Sequence, residues 1–173
     1  MNWCSASSKP TRKMTAHVDV QIACDESDLP TETVFRDWVG RALAGAAYKG
    51  DAEVSIRIVD IDEVQTLNRD FRHKDKATNV LSFPAGAIDG LPDDIERPLG
   101  DIVVCASVVS DEARQQNKPL ASHWAHMIVH GTLHLLGYDH ETDAQALQME
   151  GLESKILTTH GVANPYRESP SET

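Results

Sequence analysis

HWAHMIVHGTLHLLGYDH, residues 123–140, is the stretch from which the rest of the chain is read. It belongs to a helix expected over Leu120–Leu136, with Pro119 just before its start and Gly137 placed to end it. His130 and His134 are four residues apart, so their side chains leave one helical face a turn apart. That spacing lets two imidazoles share one metal ion. Gly137 permits the chain to turn out of the helix, and His140 can then swing back as a third ligand. Three neutral imidazoles leave a fourth tetrahedral position open, the arrangement of a catalytic zinc site rather than a structural one. His126, four before His130, forms a competing pair, but only 130/134/140 uses the turn. His126 is therefore expected beside or at the rim of the site, and His123 at the surface.

The spacing matches the zinc-peptidase signature HExxHxxGxxH in its histidines and glycine. It departs where that signature carries its general base, because Gly131 replaces the glutamate. Peptidase chemistry is disfavoured for that reason. Asp139 and Glu141 flank His140; carboxylates so placed more often orient a ligand than act as bases.

Working outward, the chain reads as alternating strands and helices in irregular order. His17–Cys24 alternates Val18, Val20, Ile22 and Cys24 with polar residues, a half-buried strand. Thr31 to about Ala47 carries Val34, Phe35, Trp38, Val39, Ala42 and Leu43 at helical spacing. Glu53–Asp60 is a second strand, followed by a short helix with Val64, Leu67 and Phe71 inward. Asn79–Phe83 is a short strand ended by Pro84, and Ala85–Pro98 an exposed loop. Leu99–Ala106 reads as a buried strand, and about Ser107–Asn117 as a polar helix. Ala144–His160 is a last amphipathic helix with Leu147, Leu152, Ile156 and Leu157 inward. The expectation is one α+β domain: a small mixed β-sheet packed with helices, with the zinc site on a helix-turn carrying H-x3-H-x5-H. The domain is expected over residues 17–166. It follows a polar N-terminal extension, residues 1–16, expected to be disordered, and precedes a flexible tail, residues 167–173.

Composition agrees. A chain of 173 residues with 40% hydrophobic and 25% charged residues suits one globular domain. No apolar run approaches the roughly 20 residues that cross a bilayer, and the N-terminus lacks the apolar block of a secretory signal. Cys4, Cys24 and Cys105 are odd in number and widely spaced, which offers neither a disulfide framework nor a CxxC site. Cys24 and Cys105 read as small core residues, and a reducing, cytoplasmic setting follows. The net charge of −11 argues against general affinity for nucleic acid, so any such contact must use a local basic patch.

One such patch exists. In LNRDFRHKDKATNVLSFP, residues 67–84, Arg69, Arg72, Lys74 and Lys76 with His73 form a cationic run inside an acidic protein. A guanidinium fork suits phosphate; taken alone, a short charge run is more often a solvated loop. Together, HGTLHLLGYDH, LNRDFRHKDKATNVLSFP and LGDIVV (99–104) resemble the motifs of the YbeY family of bacterial ribosomal RNA maturation nucleases, in the same order. The resemblance spans about Val18 to Tyr166. Phe71 stands where the family often has Tyr, and Ala77 where it often has Pro. Neither departure removes a group needed for chemistry.

The resemblance implies a metal-dependent, single-strand-specific endoribonuclease acting in 16S ribosomal RNA 3′-end maturation and ribosome quality control. It implies one Zn2+ per chain, held by His130, His134 and His140, with Arg72 near the metal as a catalytic residue. Single-stranded ribosomal RNA and the small ribosomal subunit are the implied partners, with no membrane and no DNA. Two other classes stay open: a zinc metallopeptidase lacking the usual Glu base, and a non-catalytic ribosome assembly factor.

Overall fold

The computed structural model describes residues 14–86, 89–92 and 95–167. Their elements run in the order β1 Ala16–Ala23, α1 Glu32–Gly45, β2 Ala52–Val59, α2 Ile61–Arg72, β3 Val80–Pro84, β4 Arg97–Cys105, α3 Ala106–Gln115, α4 Leu120–Leu135 and α5 Asp143–Thr159. The strands form one sheet in the order β1-β2-β4-β3. β1, β2 and β4 are parallel, while β3 runs antiparallel to β4. This is the mixed sheet of the expected α+β domain.

The run Ile102-Val103-Val104-Cys105 is apolar without alternation because this central strand is covered on both faces. Ile102 and Val104, with Val54, Ile56 and Ile58 of β2, face the main core beneath α1, α4 and α5. Val103 and Cys105 face the other way, into a smaller cluster with Val59, Leu81 and Val64 of α2. α4 lies over β3 and β4 and also touches α1, α3 and α5, so the histidine helix is the most enclosed helix of the domain. Among the described residues no helix is long and apolar enough to cross a membrane.

Helix ends carry the expected chemistry. The Asp60 side chain caps α2 by accepting from the Glu63 backbone N–H, and Thr142 with Gln145 forms a capping box on α5. At the end of α4, Gly137 takes φ +96. Its N–H donates to His134 O and that of Tyr138 to Leu133 O, a Schellman closure that a residue with a β-carbon adopts only under strain.

Four inward assignments fail, and one surface assignment. Ile22 is 57% exposed, near the end of β1, an edge strand of the sheet. Val34, in the first turn of α1, is also exposed, at the end of the helix rather than over the sheet. Phe71 is 64% exposed at the end of α2 and packs edge-on against Phe83 at 5.3 Å, outside the core. Leu147 is 76% exposed; α5 buries Met149, Glu153, Ile156 and Leu157 instead. His123, expected at the surface, is only 3% exposed, because its face of α4 meets α3, where Glu112 receives its Nε2. Of the two cysteines read as core, Cys105 is buried and Cys24 packs partly against the core; Cys4 lies outside the described residues. Ala16 opens β1, and Met14 packs against the core.

Candidate metal centre

The turn at Gly137 brings His140 back over the helix. The imidazoles of His130 and His134 have ring centroids 4.6 Å apart, and that of His140 lies 5.6 Å and 5.0 Å from them. One nitrogen from each falls within 4.8 Å of the others, so the three could hold a metal ion. The Nε2 atoms of His130 and His134 are 3.1 Å apart. Two tetrahedral nitrogens at zinc distance would lie roughly 3.3 Å apart, so these rings need almost no adjustment. Asp139 Oδ1 accepts the His140 backbone N–H at 2.8 Å and fixes the start of the return.

The protons on these rings can be assigned from their partners. His130 Nδ1 lies 2.5 Å from Glu153 Oε1. A carboxylate there requires Nδ1–H, which leaves the Nε2 lone pair facing His134. Burial, then the neighbouring His130 and His140, lower the His134 pKa to about 4, against weaker pulls from Asp139 and the Tyr138 backbone. His134 is therefore neutral at pH 7, as a ligand must be. The donor set fits a borderline metal such as zinc.

Glu153 is the functional residue that the sequence reading missed. It is fully buried on α5 and is met by His130 Nδ1, by His126 Nε2 at 3.1 Å, and by the Tyr166 hydroxyl. Burial pushes its carboxyl up, but the hydrogen bonds from His126, His130 and Tyr166 outweigh this and hold it at about 2. Burial and Glu153 raise the Tyr166 pKa, so its hydroxyl stays a donor. A signal for Glu153 was present: it interrupts the apolar series Met149, Ile156, Leu157 at helical spacing. His126 sits behind the ligand set, as expected. His126, His130 and Glu153 form a second group able to hold an ion. In that second group both Glu153 oxygens already accept hydrogen bonds, from His130 on one side and from His126 and Tyr166 on the other.

The cationic run divides. Arg72, Lys74 and Lys76 line the same cleft as the three histidines, a space of about 670 Å3 that Asp139 and Glu141 also line. Arg69 instead pairs with Asp70 at 3.2 Å, and His73 serves as the left-handed cap of α2 at φ 58. Asn68 Nδ2 donates to Lys76 O at 2.9 Å and pins the loop after α2. Arg72 Nη2 donates to Ser82 O at 2.9 Å, and Ser82 Oγ donates to Gly131 O at 3.0 Å. The arginine and the histidine helix are thus joined through one residue of β3. No feature of the sequence singled out Ser82.

Gly131 faces the sheet. A β-carbon there would lie 2.9 Å from Ile102 Cγ2 and 3.4 Å from Ser82 Oγ. The peptidase base thus has no room at this position, and no acid replaces it there.

Fold and cleft together define a small α+β protein with an open three-histidine centre and an arginine beside it. The family model described as "Endoribonuclease YbeY" matches residues 19–161. A protein named Endoribonuclease YbeY from Alkalilimnicola ehrlichii is 54% identical over 139 residues, 80% of this chain and 83% of its own. One of the same name from Alcanivorax borkumensis is 50% identical over 161 residues, 92% of this chain and 91% of its own. The solution structure of a Thermotoga maritima protein shares the fold, with TM-score 0.51 and 24% identity over 89% of this chain and 99% of its own. The chain belongs to the YbeY endoribonuclease family.

Proposed function

We propose that this protein is a zinc-dependent, single-strand-specific endoribonuclease of the cytoplasm that trims the 3′ end of small-subunit ribosomal RNA and serves ribosome quality control. The observation that carries this reading is the shared cleft, which Arg72, Lys74 and Lys76 line together with His130, His134 and His140. The net charge of −11 is no obstacle, because the cations are concentrated where a phosphate must bind. Family membership supports the RNA substrate, since the relatives are named as endoribonucleases.

His130, His134 and His140 would hold the zinc, which when bound supplies Lewis acidity and lowers the pKa of a water to about 7. The chain's own residues do the rest. Glu153 fixes the His130 proton on Nδ1. Arg72 uses one donor on Ser82 O and keeps others for phosphoryl oxygens, whose charge grows during attack. Ser82 holds the arginine at a set distance from the ligand helix. A cyclic 2′,3′-phosphate product end would mark attack by the RNA's own 2′-OH; its absence would mark water.

The test is single-turnover cleavage of a labelled single-stranded RNA ending in a small-subunit 3′ sequence, beside a binding titration. If Arg72 acts in the transition state, Arg72→Lys lowers the rate about a hundredfold or more while binding falls far less. Zinc content stays unchanged. Full activity in Arg72→Ala removes Arg72 from the mechanism. No cleavage by zinc-loaded protein, on free RNA or on small subunits, favours an assembly factor over an enzyme.

A further inference from the structure

The face of the sheet turned away from α1, α4 and α5 is only partly covered. α2 seals the part where Val59, Leu81, Val103 and Cys105 are buried. Beside it lies an open groove of about 460 Å3. Two rings line the groove: Phe71, 64% exposed at the end of α2, and Phe83 of β3, edge-on to it at 5.3 Å. The groove adjoins the metal cleft. Phe71 precedes Arg72 and Phe83 follows Ser82, and both Arg72 and Ser82 line that cleft. Consecutive Cα atoms are ~3.8 Å apart, so a strand whose phosphate meets Arg72 can lay a neighbouring base on the rings. Charge separates the two spaces. The cleft gathers Arg72, Lys74 and Lys76, whereas the groove sets the single cation Arg57 against the carboxylates of Glu63 and Asp101. Arg57 is already engaged: Nε and Nη2 donate to Glu63 at 2.6 and 3.2 Å, and Nη1 donates to Gln21 Oε1 at 3.2 Å. The groove therefore repels phosphate. Its rings ask for a flat apolar face and its polar residues for a hydrogen-bonding edge, and an uncharged nucleobase supplies both.

Sheet register places one acceptor beside the rings. Asp101 is the cross-strand partner of Phe83 and the parallel partner of Ser55, so the three lie in one row across the sheet, with neighbouring strands ~4.8 Å apart. Asp101 is exposed, and among the described residues its carboxylate takes no hydrogen bond or ion pair. An ionised carboxylate only accepts. A base stacked on the rings therefore suits Asp101 when its edge carries an exocyclic amino group, as on cytosine N4. Uracil presents a carbonyl oxygen there, which the carboxylate repels. We infer that the groove is a base subsite next to the metal cleft, where Phe71 and Phe83 stack one unpaired base of the RNA and Asp101 selects an amino-bearing base over uracil. The inference rests on the RNA-cleaving reading of the cleft.

The test mixes zinc-loaded, full-length protein with labelled oligo(C) and oligo(U) heptanucleotides and reads binding by stopped-flow anisotropy, before cleavage. The two strands carry the same charge, and their bases differ at the exocyclic position: an amino group on cytosine, a carbonyl on uracil. Oligo(C) should bind about tenfold tighter. Asp101→Asn should abolish that preference, because an amide can turn to meet either group. Phe71→Leu should weaken both strands about tenfold and keep the preference, with zinc content unchanged. Equal binding of the two strands by the wild type, a comparison that needs no variant, would overturn the selection by Asp101, as would a preference that survives in Asp101→Asn. Undiminished binding by Phe71→Leu would overturn the stacking and leave the exposed ring to a contact with another protein. The two readings fail differently. If neither strand binds, the RNA reading of the cleft falls and the subsite with it. If both bind without preference and without need of the Phe71 ring, the subsite alone falls.

Discussion

Glu153→Gln isolates the carboxylate behind the metal centre. The substitution keeps the shape of a fully buried side chain and removes its charge. In the native site one oxygen takes His130 Nδ1 at 2.5 Å, and the other takes His126 Nε2 at 3.1 Å together with the Tyr166 hydroxyl. A glutamine has only one accepting atom. If that oxygen faces His130, its NH2 meets the donors of His126 and Tyr166. If the amide turns round, its NH2 faces His130 Nδ1 and drives the proton to Nε2, the nitrogen that must bind metal. Both outcomes weaken His130 as a ligand. Loss of such an outer partner typically costs about 10–100-fold in metal affinity, or ~1.4–2.8 kcal/mol at 1.4 kcal/mol per tenfold. Chelator competition for zinc at pH 7.5 measures it directly. The acid limb of stability supplies a second reading. A carboxyl held at about 2 against an ordinary value of 4.5 adds stability that is fully present above pH 4.5 and lost as pH falls toward 2. Metal-free Glu153→Gln should lack that contribution. A folded Glu153→Gln protein that binds zinc as tightly as wild type would refute the assignment of His130's proton.

Three further outcomes follow from the geometry. His134→Ala should lose most of about one zinc per chain on metal analysis; unchanged content would sink the site, and loss on His126→Ala alone would move it to His126, His130 and Glu153. Gly131→Ala gains about 1 kcal/mol of helix propensity but forces a β-carbon to 2.9 Å from Ile102 Cγ2. Overpacking of this kind costs about 1–3 kcal/mol, so urea denaturation should show a net loss of roughly 0–2 kcal/mol, and a clear gain in stability would contradict the packing. Burial lowers the His123 pKa against the pull of Glu112. The folded protein therefore resists protonation there, and stability should fall as pH drops below about 6.5; metal-free His123→Gln should show a flatter melting-temperature profile there, and an unchanged slope would exclude His123 as its cause.

Much of this was legible because it rests on local rules. The 3.6-residue period put His130 and His134 on one face, and the positive φ available to Gly137 explains the return of His140. Strand β4 was readable from Ile102-Val103-Val104 because a run buried on both faces has no polar gaps. What escaped depends on which face meets which neighbour. Phe71 has the right period but lies at the end of α2, beyond the surface that helix covers, whereas Leu147 lies on the side of α5 opposite buried Met149 and Ile156. His123 and Glu153 are polar residues on buried faces, and each is tolerable only because a partner on another helix satisfies it. That pairing spans long sequence separations, and no local pattern encodes it.

Ser82 and Gly131 show why a peptidase-like spacing leads here to a different site. A glutamate after the first histidine requires open space on the side of the helix next to the ligands. In this chain that side is pressed onto β3 and β4, so only glycine fits against Ile102. The close approach lets Ser82 Oγ reach the Gly131 carbonyl, while the Ser82 carbonyl takes Arg72. Loss of the carboxylate position and gain of a fixed arginine are therefore two consequences of one packing contact. A neutral amide carbon attacked by water benefits from a general base. A phosphodiester is already anionic, and its attack is helped more by a positioned cation. The contact between α4 and the sheet thus favours phosphoryl chemistry over peptide hydrolysis before any substrate is bound.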